Sequence, residues 1–377
     1  MTLPMTVGVP RELKEGEHRV AVTPDGVHEL VTHGVPVLVE AGAGLDSHLA
    51  DEEYRRAGAE IAPTAAAVWE RSDMVVKVKE PRNEELALLR PGLVLFTYLH
   101  LAAYPALAEA LVDRSVTGIA YETVQLASGA LPLLAPMSEV AGRMAPQLGS
   151  HFLERQQGGR GVLMGGAPGV RPARVVVLGA GNVGWNAAWI AQGMEAEVLL
   201  LDRNLDRLRW VDQIHKGRIM TLASNRGTVE RAVADADLVI GAVLVPGGRA
   251  PVVVTEAMVR GMKPGAVIVD CAVDQGGCVE TTHETTHAEP VFVQHGVLHY
   301  AVSNIPGAVP VTSTYALTNA TLYYAVELAT RGVRDAVSAD PEFALGVNTV
   351  GGAVTNAAVA GALDRKAIAL EEALAAL

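Results

Sequence analysis

Short apolar runs alternate with longer amphipathic stretches almost from one end of the chain to the other. The runs are rich in Val, Ile and Leu, which predicts buried β-strands. The stretches between them carry helix start signals, and two of them end at Gly34 and Gly58. Alternating strands and helices are typical of parallel sheets built from βαβ units, so the sequence predicts an α/β fold throughout.

The predicted strands form two series separated by a long helix. The first series comprises residues 6–9, 35–41, 73–78, 92–99 and 116–122, and the second comprises residues 174–178, 197–202, 236–243, 266–270 and 297–302. Ser138 is the expected N-cap of the helix between the two series. From Pro306 onward the pattern returns to helix, and these helices are too few to form a domain alone.

We therefore expect two Rossmann-like open parallel-sheet domains, one inserted in the other. The discontinuous domain would comprise residues 1–136 and 307–377, and the inserted domain would comprise residues 137–306. The chain has 377 residues, of which 50% are hydrophobic, and this is enough for two cores.

The charge of the chain excludes some classes of partner. Its net charge is −12 and its pI is near 5.4, whereas binding to nucleic acid or to an anionic membrane requires clustered Lys and Arg. Residues 296–326 contain no Asp, Glu, Lys or Arg, but they are rich in polar residues and do not resemble a membrane span. The first residues lack the pattern of a secretion signal, so we expect a cytoplasmic protein.

A dinucleotide-binding fingerprint lies at the start of the second series of strands. Gly179, Gly181 and Gly184 form G-x-G-x-x-G between a predicted strand and a predicted helix, and Asp202 ends the next strand. Glycines allow the tight turn, the approach of a pyrophosphate and close helix packing, while an acid at the strand end accepts hydrogen bonds from a ribose. The negative charge of Asp202 favours NAD over NADP, although Arg203 beside it could accommodate a 2′-phosphate.

The other glycine-rich segment and the cysteines carry weaker signals. The segment at 158–169 has no strand before it and includes a proline, so we interpret it as a connecting loop. Cys271 and Cys278 are too far apart in sequence for a typical structural zinc site, and His283 and His287 lie in a polar run. We expect no metal site.

Ionisable residues that follow strands are the candidates for substrate chemistry, because open parallel sheets bind ligands at the carboxyl ends of their strands. His100 follows one predicted strand, and strand alternation would place Lys77 and Lys79 on one face of another. Arg19 could bind a carboxylate through two hydrogen bonds, although an arginine in a charged loop is more often a surface residue. Asp274 lies in the loop after the strand that ends at Asp270, where Gly276 and Gly277 would allow a close turn. 

With these residues assembled, the chain resembles the alanine dehydrogenase family over essentially its whole length. The segments that carry the resemblance include VGVPRELKEGEHRVAVTP, VKVKEP, GALPLLAPMSEVAGRMA, VVVLGAGNVGWNAA, MKPGAVIVDCAVDQGGC and TSTYALTNATLYY. The resemblance implies reversible oxidation of L-alanine by NAD and water to pyruvate, ammonium and NADH. It also implies a homo-hexamer in which the discontinuous domain binds the substrate and the inserted domain binds NAD.

The resemblance further assigns roles to individual residues. Arg19 and Lys79 would bind the substrate carboxylate and carbonyl, and His100 and Asp274 would be the acid–base pair. The implied NAD contacts are Ser138, Gly179, Gly181, Asn182, Val183, Gly184, Asp202, Arg207, Ser224, Val243, Leu244, Asp274, Val302, Ser303, Asn304 and Ile305.

Two positions depart from the family pattern. Ile305 stands where some members carry Met, which an apolar contact should tolerate. Arg331 stands where some members have a histidine that is paired with a glutamate, here Glu327, in a magnesium site, so we doubt a cation site there.

Two other functions remain open at this point. The related NAD(H)-binding subunit of the proton-translocating transhydrogenase has a similar fold without substrate chemistry of its own, but this chain has both His100 and Asp274. A dehydrogenase for a larger amino acid would need more room for the side chain, which the sequence does not measure.

Overall fold

The chain separates into two compact units, each built around its own sheet. The computed structural model describes residues 3–243 and 250–375. Unit 1 comprises Met1–Met137 and Val309–Leu377, and unit 2 comprises Ser138–Ala308. The predicted fold class, two Rossmann-like open sheets of mostly parallel strands with one unit inserted in the other, is confirmed.

The elements follow one another as strands and helices in alternation. The first part of unit 1 contains β1 (Val7–Val9), α1 (Pro24–Thr32), β2 (Val37–Glu40), α2 (Asp51–Arg56), β3 (Glu60–Ala62), α3 (Ala65–Arg71), β4 (Met74–Val76), α4 (Asn83–Leu86), β5 (Val94–Thr97), α5 (Pro105–Asp113) and β6 (Thr117–Ala120). Helix α6 (Ala135–Phe152) leads into unit 2, which contains β7 (Arg174–Leu178), α7 (Asn182–Gly193), β8 (Glu197–Asp202), α8 (Leu205–His215), β9 (Met220–Ala223), α9 (Arg226–Ala234), β10 (Leu238–Gly241), α10 (Glu256–Arg260), β11 (Val267–Asp270), β12 (Val291–Gln294) and β13 (Val297–Tyr300). The return to unit 1 contains α11 (Pro310–Ala339), α12 (Pro341–Ala344), β14 (Val347–Val350), β15 (Ala353–Val354), α13 (Ala357–Ala362) and α14 (Leu370–Ala375).

The sheet of unit 1 has the strand order β15-β14-β6-β5-β4-β1-β2-β3. All its pairs are parallel except those of β14, which is antiparallel to β6 and β15. The expectation of helix alone after Pro306 was therefore wrong, because β14 and β15 extend this sheet. Strand β14 has the sequence VNTV, which lacks a long apolar run, and its pairing partner Ile119 is remote in the chain.

The sheet of unit 2 has the strand order β12-β13-β11-β10-β7-β8-β9, and only β12 and β13 pair in antiparallel fashion. The edge strands β9 and β12 were not predicted. Three of the four β9 residues are exposed, so this strand lacks the apolar run that a buried strand shows. The strands between them bury their side chains against α9 and α10 in the core of the unit, which includes Val176, Val239 and Ile268.

The start of α6 also differs from the prediction. The helix begins at Ala135, so Ser138 lies inside its first turns and is not its N-cap. Pro136 is tolerated there because the first turn of a helix has no intrahelical acceptor for its N–H groups. Among the described residues, no helix is long and apolar enough to cross a bilayer.

Candidate active site

The carboxyl ends of four neighbouring parallel strands bring the predicted substrate residues of unit 1 to one edge. Strands β1, β4, β5 and β6 are adjacent in the sheet and run parallel. Arg19 lies in the segment after β1, Lys79 after β4 and His100 after β5. The structure therefore places all three along the same edge of the sheet, where ligands of open parallel sheets bind.

Arg19 is a buried cation and not a surface residue. It is 2% exposed, and its Nε and Nη2 atoms donate to the Glu17 carboxylate at 2.6 and 2.5 Å. Its Nη1 atom lies 2.8 Å from the Met137 sulfur. Burial opposes ionisation of Glu17, but the charge and hydrogen bonds of Arg19 outweigh burial and lower its pKa to about 2. The guanidinium is thus paired and fixed in orientation.

Lys77 and Lys79 have different environments. Strand β4 ends at Val76, so the strand alternation that predicted a shared face does not extend to these two lysines. Lys77 is fully buried, donates to Glu85 at 2.8 Å and lies 3.3 Å from Glu12. Lys79 is half-buried, and its charge adds to that of Arg19 in lowering the pKa of Glu17 against the effect of burial. Lys77 is therefore structural, while Lys79 lies near the Arg19 ion pair.

His100 follows β5 in a left-handed backbone conformation. Its φ is 47°, and its backbone N–H donates to Glu122 at 2.6 Å. The imidazole is 38% exposed and stacks on the ring of Tyr98, with ring centroids 5.9 Å apart. Burial raises the pKa of Tyr98 and the charge of Arg19 opposes that rise, so Tyr98 and Arg19 interact electrostatically. The imidazole is therefore accessible to a ligand at this edge.

Sequence reasoning missed four residues of this edge: Glu12, Glu17, Tyr98 and Glu122. Glu12 and Glu122 follow β1 and β6. The criterion that selected Lys79 and His100, an ionisable residue soon after a strand, also applies to Glu12. The predicted strand 116–122 wrongly included Glu122, because β6 ends at Ala120. Tyr98 gave no such signal, because it belongs to an apolar run.

The glycine fingerprint of unit 2 has the geometry that a pyrophosphate site requires. Gly179 has a φ of 101°, and a Cβ there would lie 2.5 Å from the Ala242 carbonyl oxygen. A Cβ at Gly184 would lie 1.7 Å from the Gly179 carbonyl oxygen. A Cβ at Gly181 would meet no atom closer than 3.9 Å. Gly179 and Gly184 are thus required by packing, whereas Gly181 leaves open space at the N-terminus of α7.

Asp202 anchors the turn that contains the fingerprint. Its carboxylate accepts the Ala180 N–H at 2.6 Å and the Asn204 N–H at 2.7 Å. Arg207 lies 3.9 Å away on α8. A carboxylate has about four acceptor lone pairs, so two backbone hydrogen bonds leave capacity for the hydroxyls of a ribose. The residues present therefore fit a dinucleotide such as NAD.

The remaining predicted cofactor contacts lie in several segments of unit 2. Asn182 and Val183 begin α7, and a Cβ at Gly142 of α6 would lie 2.3 Å from the Val183 carbonyl oxygen. Ser138 lies one turn before Gly142 on the same face of α6, which therefore packs closely against the start of α7. Ser224 follows β9 and donates its N–H to the Asp202 carbonyl at 2.9 Å.

Two further groups of predicted cofactor contacts follow strands. Val243 is partly buried just after β10, and Leu244 lies outside the described residues. Val302, Ser303, Asn304 and Ile305 follow β13, with Asn304 in the left-handed region at a φ of 63°.

Asp274 is exposed on a short 3₁₀ turn, Val273–Gln275, after β11. Gly276 and Gly277 have φ values of 90° and 76°, as the predicted close turn requires. The buried Asp270 accepts the N–H groups of Ala272, Cys278 and Val279, and so braces the loop. Burial raises the pKa of Asp270, and these hydrogen bonds oppose the rise.

The cysteines and the other metal candidates form no cation site in residues 3–243 and 250–375. Cys271 and Cys278 are free thiols there, and no group of three or more His, Cys, Asp or Glu side chains is arranged to bind a metal. Glu327 accepts a hydrogen bond from Arg331 at 2.8 Å, one turn further along α11.

Comparison with known proteins identifies the family. Residues 8–141 match the family described as "Alanine dehydrogenase/PNT, N-terminal domain" and residues 145–357 match "Alanine dehydrogenase/PNT, C-terminal domain". The chain belongs to the alanine dehydrogenase/PNT family. The resemblance noted in the sequence is thereby confirmed.

Individual relatives cover the whole chain. Alanine dehydrogenase of Methanococcus maripaludis is 54% identical over 371 residues, which are 98% of this chain and 100% of the relative. Alanine dehydrogenase 2 of Staphylococcus aureus strain USA300 is 53% identical with the same coverage. A solved structure of L-alanine dehydrogenase has a TM-score of 0.93 at 50% identity, covering 96% of this chain and 99% of its own. Transhydrogenase from Sinorhizobium meliloti has a TM-score of 0.80 at 27% identity, covering 94% of this chain and 99% of its own.

Proposed function

We propose that this chain is an L-alanine dehydrogenase that catalyses the reversible, NAD-dependent conversion of L-alanine to pyruvate and ammonium. The observation that carries the proposal is the edge of unit 1 where a buried arginine, a lysine and a histidine lie on neighbouring strand ends. The relatives that share about half of the residues, and that are named alanine dehydrogenase, support it. In this proposal residues 1–136 and 307–377 bind the substrate, and residues 137–306 bind NAD.

Substrate binding would depend on the two cations. A guanidinium binds a carboxylate through parallel N–H bonds, and Glu17 sets the plane in which Arg19 presents its donors. Lys79 would lie at the carbonyl oxygen of pyruvate, where its charge stabilises the oxyanion that develops when the carbonyl is attacked.

His100 and Asp274 would move the protons. Alanine binds as an ammonium, which must lose a proton before the nitrogen lone pair can assist departure of hydride from Cα. An imidazole has one ring nitrogen that accepts a proton and one that donates, which suits His100 to this step. The resulting iminium is attacked by water, and the Asp274 carboxylate would orient and deprotonate that water.

NAD, when bound, supplies the hydride acceptor. Gly181 and the first N–H groups of α7 would receive its pyrophosphate, and Asp202 its ribose. The Asp202 charge disfavours the 2′-phosphate of NADP. We further propose that the protein is a homo-hexamer, as the family resemblance implies, and that it is cytoplasmic.

The test is formation of NADH from NAD, or of NADPH from NADP, by the purified protein with each of a panel of L-amino acids. We expect turnover with L-alanine and NAD, and the reverse reaction with pyruvate, ammonium and NADH. Turnover of a larger amino acid in preference to alanine would contradict the substrate. NADH binding without any turnover would instead indicate the function of a transhydrogenase subunit.

A further inference from the structure

The carboxylate of Glu12 accepts hydrogen bonds from the backbone N–H groups of Val78 and Lys79. Glu12 follows β1, and its side chain is only 3% exposed. Its Oε1 atom accepts the Val78 N–H at 2.6 Å, and its Oε2 atom accepts the Lys79 N–H at 3.3 Å. A residue that follows one strand thereby fixes the loop that follows the neighbouring strand β4.

We propose that Glu12 is a positioning residue for the reaction, because its carboxylate fixes the backbone of Lys79 and does so fully only when it is ionised. This inference rests on the proposed function, in which Lys79 contacts the substrate carbonyl. Glu12 bonds to the backbone of the loop that carries Lys79, so it acts through Lys79 and is not a catalytic residue.

The charges around Glu12 make its ionisation incomplete at neutral pH. Oε2 lies 3.3 Å from the Lys77 ammonium, which is shared with the equally buried Glu85. Burial is the main cause that raises the pKa of Glu12, to about 7, and the charges of Glu17 and Glu85 raise it further. Lys77 and the Val78 N–H oppose the rise.

Glu12 also interacts with Arg19 and Tyr121. Its charge helps to raise the pKa of Arg19, against burial, and adds to burial in raising the pKa of Tyr121. With its pKa raised to about 7, Glu12 changes charge in the physiological range.

Protonation should loosen the loop. A neutral carboxylic acid loses the ion pair with Lys77 and is a weaker acceptor for the two N–H groups than a carboxylate is. As the pH falls through about 7, Lys79 should become less well placed and the kcat/KM for pyruvate should fall. The Kd for NADH should not change, since the proposed NAD residues belong to unit 2.

The experiment compares kcat/KM for pyruvate, at saturating ammonium and NADH, in wild type and Glu12→Gln from about pH 6 to pH 8. We expect Glu12→Gln to be roughly tenfold lower at pH 8, the effect of one hydrogen bond to a charged group. The ratio of wild type to variant should approach one at pH 6, where wild-type Glu12 is mostly neutral. The ratio removes the pH dependence that other ionisable groups contribute equally to both proteins.

Glu85→Gln is the matched control, since Glu85 is equally buried and bonded to the same lysine, but its carboxylate accepts the backbone N–H of Arg82 and not those of Val78 and Lys79. It should match wild type at pH 8 and exceed it at pH 6, because removal of the Glu85 charge lowers the pKa of Glu12. Thermal melts verify that both variants are folded.

Three results overturn the inference: equal losses in the two variants, wild-type kcat/KM in Glu12→Gln at every pH, or no difference between Glu85→Gln and wild type at pH 6. If Glu12→Gln does not fold, the comparison of Glu85→Gln with wild type at pH 6 still tests the inference. A wild-type protein without alanine or pyruvate turnover would refute the proposed function instead, so the two failures are distinguishable.

Discussion

Glu122 stabilises the unusual backbone of His100. A φ of 47° puts His100 in the left-handed region, which costs a residue other than glycine about 1 kcal/mol. The Glu122 carboxylate accepts both the His100 N–H at 2.6 Å and the Leu99 N–H at 3.3 Å, and so offsets this cost. Glu122 also lies 3.9 Å from the His100 ring nitrogen Nδ1. The position of the imidazole therefore depends on this carboxylate.

We expect Glu122→Gln to lower kcat for alanine roughly tenfold while leaving the Kd for NADH unchanged. The two N–H groups donate to different oxygens of Glu122, and in an amide one of these two positions is an NH2 donor, so one of the two bonds is lost. Asp73→Asn is the control, since Asp73 also accepts a backbone N–H, from Thr6 at 2.8 Å, but at the opposite end of the sheet. Similar losses of kcat in both variants would argue against a specific role for Glu122.

Helix α7 contains two glycines, of which only one is required by packing. A Cβ at Gly184 would lie 1.7 Å from the Gly179 carbonyl oxygen, which belongs to the turn of the fingerprint. A Cβ at Gly193, at the other end of the same helix, would meet no atom within 4 Å. The first glycine is required by helix-to-strand packing, and the second only lowers helix stability.

We expect Gly184→Ala to abolish NADH binding and to lower the urea midpoint of unfolding. Gly193→Ala should retain NADH binding and gain up to about 1 kcal/mol of stability. NADH fluorescence titration and urea unfolding measure both effects. Normal NADH binding by Gly184→Ala would show that the turn is more adaptable than its packing indicates.

The stability of the whole molecule should depend on pH through two buried carboxylates whose pKa values shift in opposite directions on folding. The pKa of Glu17 falls to about 2, so its contribution is present above its unfolded value of 4.5 and is lost as the pH falls toward 2. The pKa of Glu12 rises to about 7, so its contribution is complete below 4.5 and is lost as the pH rises through 7.

We expect Glu17→Gln to destabilise the protein by about 3 kcal/mol at pH 7, because it leaves the buried Arg19 without a countercharge. The gap in urea midpoint between wild type and variant should narrow as the pH falls from about 5 toward 2. A gap that stays constant with pH would contradict the assignment of the low pKa to Glu17.

The central strands and the fingerprint could be read from the sequence because their signals are local. Strands such as β7 and β8 are continuous apolar runs buried on both faces, and Asp202 follows the glycines at the expected distance. Strand β9 has mostly exposed residues, and β14, which lies between β15 and β6, pairs with a strand that is remote in sequence, so neither has such a signal. Ser138 was misplaced for a different reason. Pro136 was taken to precede the helix, although a proline fits inside the first turn of a helix.

By itself, the sequence determined the fold class, the family and which cationic and acid–base residues are candidates, because periodicity, glycine spacing and residue type are properties of short segments. Only the tertiary structure decided that Arg19 is buried against Glu17, that Lys77 is structural, and that Glu12 and Glu122 support the loops of Lys79 and His100. Burial and pairing depend on which strands become neighbours in the sheet, and β1, β4, β5 and β6 are brought together only by folding.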